Sequence, residues 1–131
     1  MTDQLDTAQL QRPYVPLAAY FEDADCVEYV AEDTFCTYVR IDEYLTLVYD
    51  ETCFRVIGFK LKGFRYIFNQ MAGQLKLNQD SFLRVVSIIE RVVTELGEAF
   101  VSDDRRARAY QAAIKIADQN NVQLFDLPIA A

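Results

Sequence analysis

Six carboxylates crowd the stretch "YFEDADCVEYVAEDT", residues 20–34: Glu22, Asp23, Asp25, Glu28, Glu32 and Asp33. Oxygen ligands of this type suit calcium or magnesium, but the alternating spacing and central glycine of a calcium loop are missing. A solvated acidic surface accounts for the run more simply. Histidine is absent from the chain. That removes the usual general base, the Ser-His-Asp and Cys-His arrangements, and the commonest zinc ligand. Only Asp, Glu, Lys, Tyr and Cys remain as acid–base or nucleophilic groups, so catalysis is not the expectation, and no cofactor or metal is implied.

"GFKLKGFR", residues 58–65, begins like a phosphate-binding loop with G-x-x-x-x-G. The Lys and Ser or Thr that would follow the second glycine are replaced by Phe64 and Arg65. Gly58 reads instead as a place where a strand bulges or is approached closely, and Gly63 as the turn from strand to helix. Cys26, Cys36 and Cys53 are an odd number without C-x-x-C spacing, which fits free thiols in a reducing compartment. Cys53, near Arg55, is the one candidate for a reactive thiolate. Two basic groups stand out: Arg55, Lys60, Lys62 and Arg65 in the strand region, and Arg105, Arg106 and Arg108 at the start of a helix. Internal neutralisation is the simplest role for both. If instead an anionic or apolar small molecule binds between sheet and helices, Arg40, Lys60 and Lys62 are its expected anchors.

The elements that must position these groups follow from periodicity. "FCTYVRID" (35–42) alternates as a half-buried strand. "EYLTLVYD" and "FRVIGFKL" form a hairpin around Asp50–Cys53, a length built on a type I turn. Counting back from that turn pairs Tyr49 with Phe54, Leu47 with Val56, Leu45 with Gly58 and Glu43 with Lys60. The opposite face then carries Tyr44, Thr46, Val48, Arg55, Ile57, Phe59 and Leu61, so both faces are apolar and both need cover. "DCVEYVAED" (25–33) is a short edge strand or a loop. The stretch "IDEYLTLVYDETCFRVIGFKLKG" resembles the hairpin of certain small bacterial domains of unknown function, in which an Asp-containing turn precedes a VxGxxxxG-like strand. The resemblance implies no activity and assigns no residue.

Helices follow the strands. Phe64, Ile67, Phe68 and Met71 recur at helical spacing towards Gly73. Phe82, Val85, Val86, Ile89, Val92, Val93 and Leu96 make a longer stripe, with Asn78 or Asp80 as cap and Gly97 as stop. A last helix starts at Ser102 or Asp103 and carries Ala107, Tyr110, Ala113, Ile114 and Ala117, with Asn120 or Asn121 taking the left-handed turn at its end. The expectation is one α+β domain, 1–131: an antiparallel hairpin or meander of three to four strands followed by three helices packed on one sheet face. Within it, 1–20 is a loosely docked N-terminal segment touching at Tyr14, Leu17 or Tyr20, 25–62 the β region, 64–119 the helical region and 122–129 a terminal extended segment.

Composition limits the function. The chain is 52% hydrophobic and 25% charged, in the range of folded globular domains. Apolar runs are short and the start carries acids, which argues against a transmembrane helix or signal peptide. Net charge is −7, which disfavours nucleic acid. The charge is uneven: residues 1–51 hold twelve acids against Arg12 and Arg40, whereas 52–131 hold eleven bases against eight acids. The two halves are expected to neutralise each other in the fold, although such asymmetry also marks a partner surface. The resulting functional expectation is a small cytoplasmic protein of prokaryotic type, a self-associating interaction or adaptor module without catalysis. Tyr44, Val48, Ile57 and Phe59 would form a homodimer interface, and the acidic stretch Glu22–Asp33 would face a protein partner. Neither nucleic acid nor membrane is an expected partner. The alternative is the small-molecule binding domain anchored by Arg40, Lys60 and Lys62.

Overall fold

The computed structural model describes residues 14–72, 82–125 and 127. The strands are β1 (Ala19–Phe21), β2 (Cys26–Val30), β3 (Thr37–Arg40), β4 (Leu45–Tyr49) and β5 (Val56–Lys62), with a later pair, β6 (Leu83–Arg84) and β7 (Gln123–Leu124). The helices are α1 (Phe64–Ala72), α2 (Val85–Leu96), α3 (Glu98–Val101) and α4 (Asp104–Gln119). The first five strands form one antiparallel sheet in the order β1-β2-β5-β4-β3. The α+β class with strands before helices therefore holds, with one more strand and one more short helix than the periodicity indicates. The segment 25–33 contains not an edge strand but β2, inside the sheet between β1 and β5.

The hairpin register differs from the count made back from the turn. Leu45 faces Leu61, Thr46 faces Lys60, Leu47 faces Phe59 and Val48 faces Gly58, whereas Tyr49 faces Val56, so Ile57 is an extra residue in β5. Two local causes produce the slip. The Asp50 carboxylate accepts from the N–H groups of Phe54 and Arg55 and from the Thr52 hydroxyl, so the loop closes at Asp50 and Arg55 rather than at Tyr49 and Phe54. The bulge at Ile57 then adds one more residue. An odd shift exchanges the faces of β5 relative to β4.

Phe59 and Leu61 consequently join Leu45, Leu47, Val27 and Tyr29 on the core face, packed against Phe64, Ile67, Phe68, Ile88, Ile89, Val92, Tyr110 and Ala113 of the helices. On the other face Glu28, Lys60, Thr46 and Arg40 line up across β2, β5, β4 and β3. Gly58 belongs to this arrangement. A Cβ there would stand 2.2 Å from the Tyr29 carbonyl oxygen and 2.8 Å from Val30 Cα, so only glycine lets β2 lie against the bulge.

The α2 stripe begins at Val85 rather than Phe82. Leu83 and Arg84 pair with β7, and Phe82 packs in a tilted contact with Phe125, ring centroids 5.5 Å apart. Asn78 and Asp80, the expected caps, and Gly73 lie outside the described residues. Helix α2 ends at Gly97. Helix α4 is capped by Asp103, whose side chain accepts from Arg106 N–H, and Asn121 takes the left-handed conformation after it. Ala109, Tyr110, Ala113 and Ala117 are its buried residues. Ahead of the sheet, Tyr14 donates its hydroxyl to the Val30 carbonyl at 2.7 Å, while Tyr20 sits within β1.

Candidate functional site

The expected interface residues are covered within the single chain. Val48 is 0% exposed, Ile57 2% and Phe59 0%, and Tyr44 is half-buried against the core. The second sheet face is not an apolar patch awaiting a copy, because the register brings Lys60 there. Its ammonium lies 3.1 Å from Glu28 and 4.4 Å from the Tyr38 ring centroid. Burial acts against the Lys60 charge, but the hydrogen bond and charge of Glu28 outweigh it and hold its pKa above the ordinary lysine value.

Arg40, Lys60 and Lys62 thus share a face, but it points away from the helices, so they do not anchor a pocket between sheet and helices. The hollow beside Lys60, about 620 Å³, is lined by Phe21, Glu22, Asp23, Ala24, Cys26 and Glu28. With three carboxylates on its wall and its lysine already paired, it disfavours an anion. Cys26, at its base, is pushed up by burial and stays a thiol at neutral pH. Cys53 is exposed, with Sγ 3.5 Å from Thr37 Oγ1.

Three of the six carboxylates in the acidic stretch pair with bases of the second half of the chain. Glu22 pairs with Arg65, Glu28 with Lys60 and Glu32 with Arg55. Asp25 accepts from the Tyr20 hydroxyl and the Arg65 N–H. Five of the seven ion pairs among the described residues join an acid before residue 52 to a base after it. The charge asymmetry is therefore resolved in part inside the fold. Among the described residues no group of three carboxylates or thiols converges as a metal cage, and no helix is long and apolar enough to cross a membrane.

Two ionisable groups with shifted pKa, Tyr110 strongly and Asp50 downward, tie loops down. Asp42, whose side chain is 4% exposed, accepts from the N–H groups of Tyr44 and Leu45, both at 2.8 Å, and from the Tyr110 hydroxyl at 2.8 and 3.0 Å. Arg106 Nε stands 3.4 Å from the same carboxylate. Burial, then the hydrogen bond and charge of Asp42, push the Tyr110 phenol far above its ordinary range. At Asp50 burial works to raise the pKa. The hydrogen bonds from Thr52, Arg55 N–H and Phe54 N–H, with the Arg55 charge, outweigh it and hold the carboxyl below the usual aspartate value.

A different concavity does lie between sheet and helices. Val39, Ile41, Leu47, Tyr49 and Val56 form one wall, and Ala109 and Ala112 of α4 the other, enclosing about 460 Å³. Asp104, Arg105 and Arg108 stand on its lip. Arg105 and Arg108 are exposed, and neither is ion-paired among the described residues. The groove runs beside β3, which among the described residues has only β4 as a neighbour.

The side chains that make this site follow from two local choices. The Asp103 cap starts α4 so that Arg105 and Arg108, three apart, fall on one side while Tyr110 and Ala113 face the core. The small residues Ala109 and Ala112 leave room that a Leu would fill. Sequence inspection singled out the Arg105–Arg108 cluster, but not its alignment with Val39 and Ile41, which requires β3 to be the sheet edge under α4. Comparison of the chain with known protein families, with curated proteins and with solved structures returns no match, so the site's meaning rests on its geometry.

Proposed function

We propose that this protein is a non-catalytic interaction module whose contact surface is the groove between the β3 edge and α4. The observation that carries the reading is the combination of an apolar trough, two arginines on its lip and a strand edge along one side, the arginines unpaired and the edge uncovered among the described residues. Apolar area supplies affinity, and the arginines select an acidic partner and orient it. The strongly shifted Tyr110 and the lowered Asp50 are engaged in loop and turn bonds rather than poised in a cleft, which favours association over catalysis.

A small anionic ligand in the same groove is the second reading, since the volume falls in the range of such sites. The trough opens along β3, and this suits an extended chain better than a molecule that must be enclosed. The test is site-specific photocrosslinking in the cells of origin. A photoreactive residue at Ala112 should give a discrete protein adduct that Arg105→Glu with Arg108→Glu suppresses, whereas the same group at Thr46, on the opposite face, gives none. Adducts from position 46 with none from position 112 would refute the groove.

A further inference from the structure

The backbone of β3 shows how a partner would be held. Thr37 faces Tyr49 and Val39 faces Leu47, and in continuation of that ladder Ile41 N–H donates to Leu45 O at 2.9 Å. In an antiparallel pair, residues that bond to the neighbour alternate with residues whose N–H and C=O point away. Ile41 places 37, 39 and 41 in the first set. The N–H and C=O groups of Tyr38 and Arg40 therefore point outward, and among the described residues no backbone group bonds to them.

The side chains around this edge are sorted by sign and polarity. Val39 and Ile41 face the groove below Arg105 and Arg108. Tyr38 and Arg40 lie on the other face, both exposed, and among the described residues Arg40 has only the Asp42 carbonyl as a partner, 3.2 Å from Nε. An added strand would meet apolar surface and two arginines on one side, and an arginine and a tyrosine on the other. No carboxylate belongs to β3, and among the described residues Asp104 is the one acid on the groove's lip. A second copy of the chain would bring β3, Arg105 and Arg108 against their own kind, so charge selects a different occupant.

Resting on the groove reading above, we infer that β3 accepts an extended acidic–apolar peptide segment of a partner protein as a sixth strand. The segment's backbone bonds to Tyr38 and Arg40, its apolar side chains enter the groove over Val39, and its carboxylates meet Arg40, Arg105 and Arg108. Alternation follows from the pleat: the parity opposite Val39 carries apolar residues flanked by acids that reach Arg105 and Arg108, and the other parity carries acids that meet Arg40.

The experiment is amide hydrogen exchange and chemical-shift mapping by NMR on the full chain, titrated with the capped peptide acetyl-EDVEVDE-amide to about 1 mM, the weak end of specific recognition. The expected result is new protection at Tyr38 and Arg40 N–H but not at Val39 or Ile41, which are already bonded. Shifts should appear at Ala109 and Ala112. Arg105→Ala with Arg108→Ala should weaken binding roughly five- to tenfold, the worth of two exposed ion pairs, and the all-lysine analogue of the peptide should not bind.

Shifts in the groove without protection of Tyr38 and Arg40 would overturn strand addition while leaving the groove as a binding surface. No shift at either place would overturn the inference, and the crosslinking result would then decide separately whether the groove has another occupant. Protection of Tyr38 and Arg40 already present in the free protein would also overturn it. That protection assigns the edge to a second copy if it grows with concentration, and to another part of the same chain if it does not.

Discussion

Replacing Tyr110 by Phe isolates the bond that ties α4 to the loop between β3 and β4. The ring is fully buried and stays in place in the variant, so packing is conserved. What is lost is a hydroxyl 2.8 and 3.0 Å from the two oxygens of Asp42, a carboxylate 4% exposed. A hydrogen bond to a charged group contributes about 1.5–3 kcal/mol. With two backbone N–H groups and Arg106 remaining on Asp42, the loss should lie within that range and not at the larger cost of an unpaired charge. A chain of this length shifts in Tm by about 4 °C per kcal/mol, so the fall should be roughly 6–12 °C.

Urea unfolding followed by far-ultraviolet circular dichroism gives the free energy, and Asp42→Asn with the double variant completes a cycle. Alkaline pH supplies a second signature. The folded phenol is held protonated above its ordinary value, whereas the unfolded chain ionises near pH 10. Stability from this group is therefore complete below about pH 10 and declines above it by about 1.4 kcal/mol per pH unit, a share of the decline that Tyr110→Phe removes. A loss below about 0.5 kcal/mol, or effects of the two substitutions that simply add, would show that hydroxyl and carboxylate do not share a bond in solution.

Phe59→Asp and Val48→Asp place a charge at positions 0% exposed. Each should lose more than about 3 kcal/mol and leave the soluble fraction; a folded, soluble variant in a sedimentation and dichroism assay would return both residues to the surface. Gly58→Ala drives a methyl into the Tyr29 carbonyl and should separate β2 from β5, read as lost amide protection in both strands; native protection would show that the bulge yields. Asp50→Asn should destabilise at neutral pH. Because the folded carboxyl titrates below its ordinary value, its contribution is present above about pH 4 and lost as pH falls through the lower folded value. The gap between wild type and variant in an acid-unfolding series should therefore narrow as pH falls below about 4, and a gap independent of pH would assign the effect to shape rather than charge.

Several elements were legible because their causes are local. The Val85–Leu96 stripe, the Asp103 cap, Gly97 at a helix end and left-handed Asn121 each depend on residues within a turn or two. The existence of the β4–β5 hairpin was equally readable, since two apolar alternations flank one polar turn. Its register was not. The side chain of Asp50 lengthens the loop and Ile57 bulges, and no alternation of apolar residues distinguishes slipped pairings when both parities of β5 are hydrophobic. That single shift moved Phe59 from a presumed interface into the core, and turned Lys60 towards Glu28.

By itself, then, the sequence determined the α+β class, the order of strands and helices, the lack of histidine chemistry and the charge imbalance between halves, because composition and short-range periodicity are properties of the chain alone. Tertiary structure decided which cations find acidic partners among the described residues. Arg55, Lys60, Arg65 and Arg106 meet acids from distant segments, while Arg105 and Arg108 are left at a groove. That groove exists only because β5 enters the sheet between β2 and β4 and so makes β3 its edge. Partnering across the sheet depends on register and strand order, long-range quantities that residue type and spacing do not encode one segment at a time.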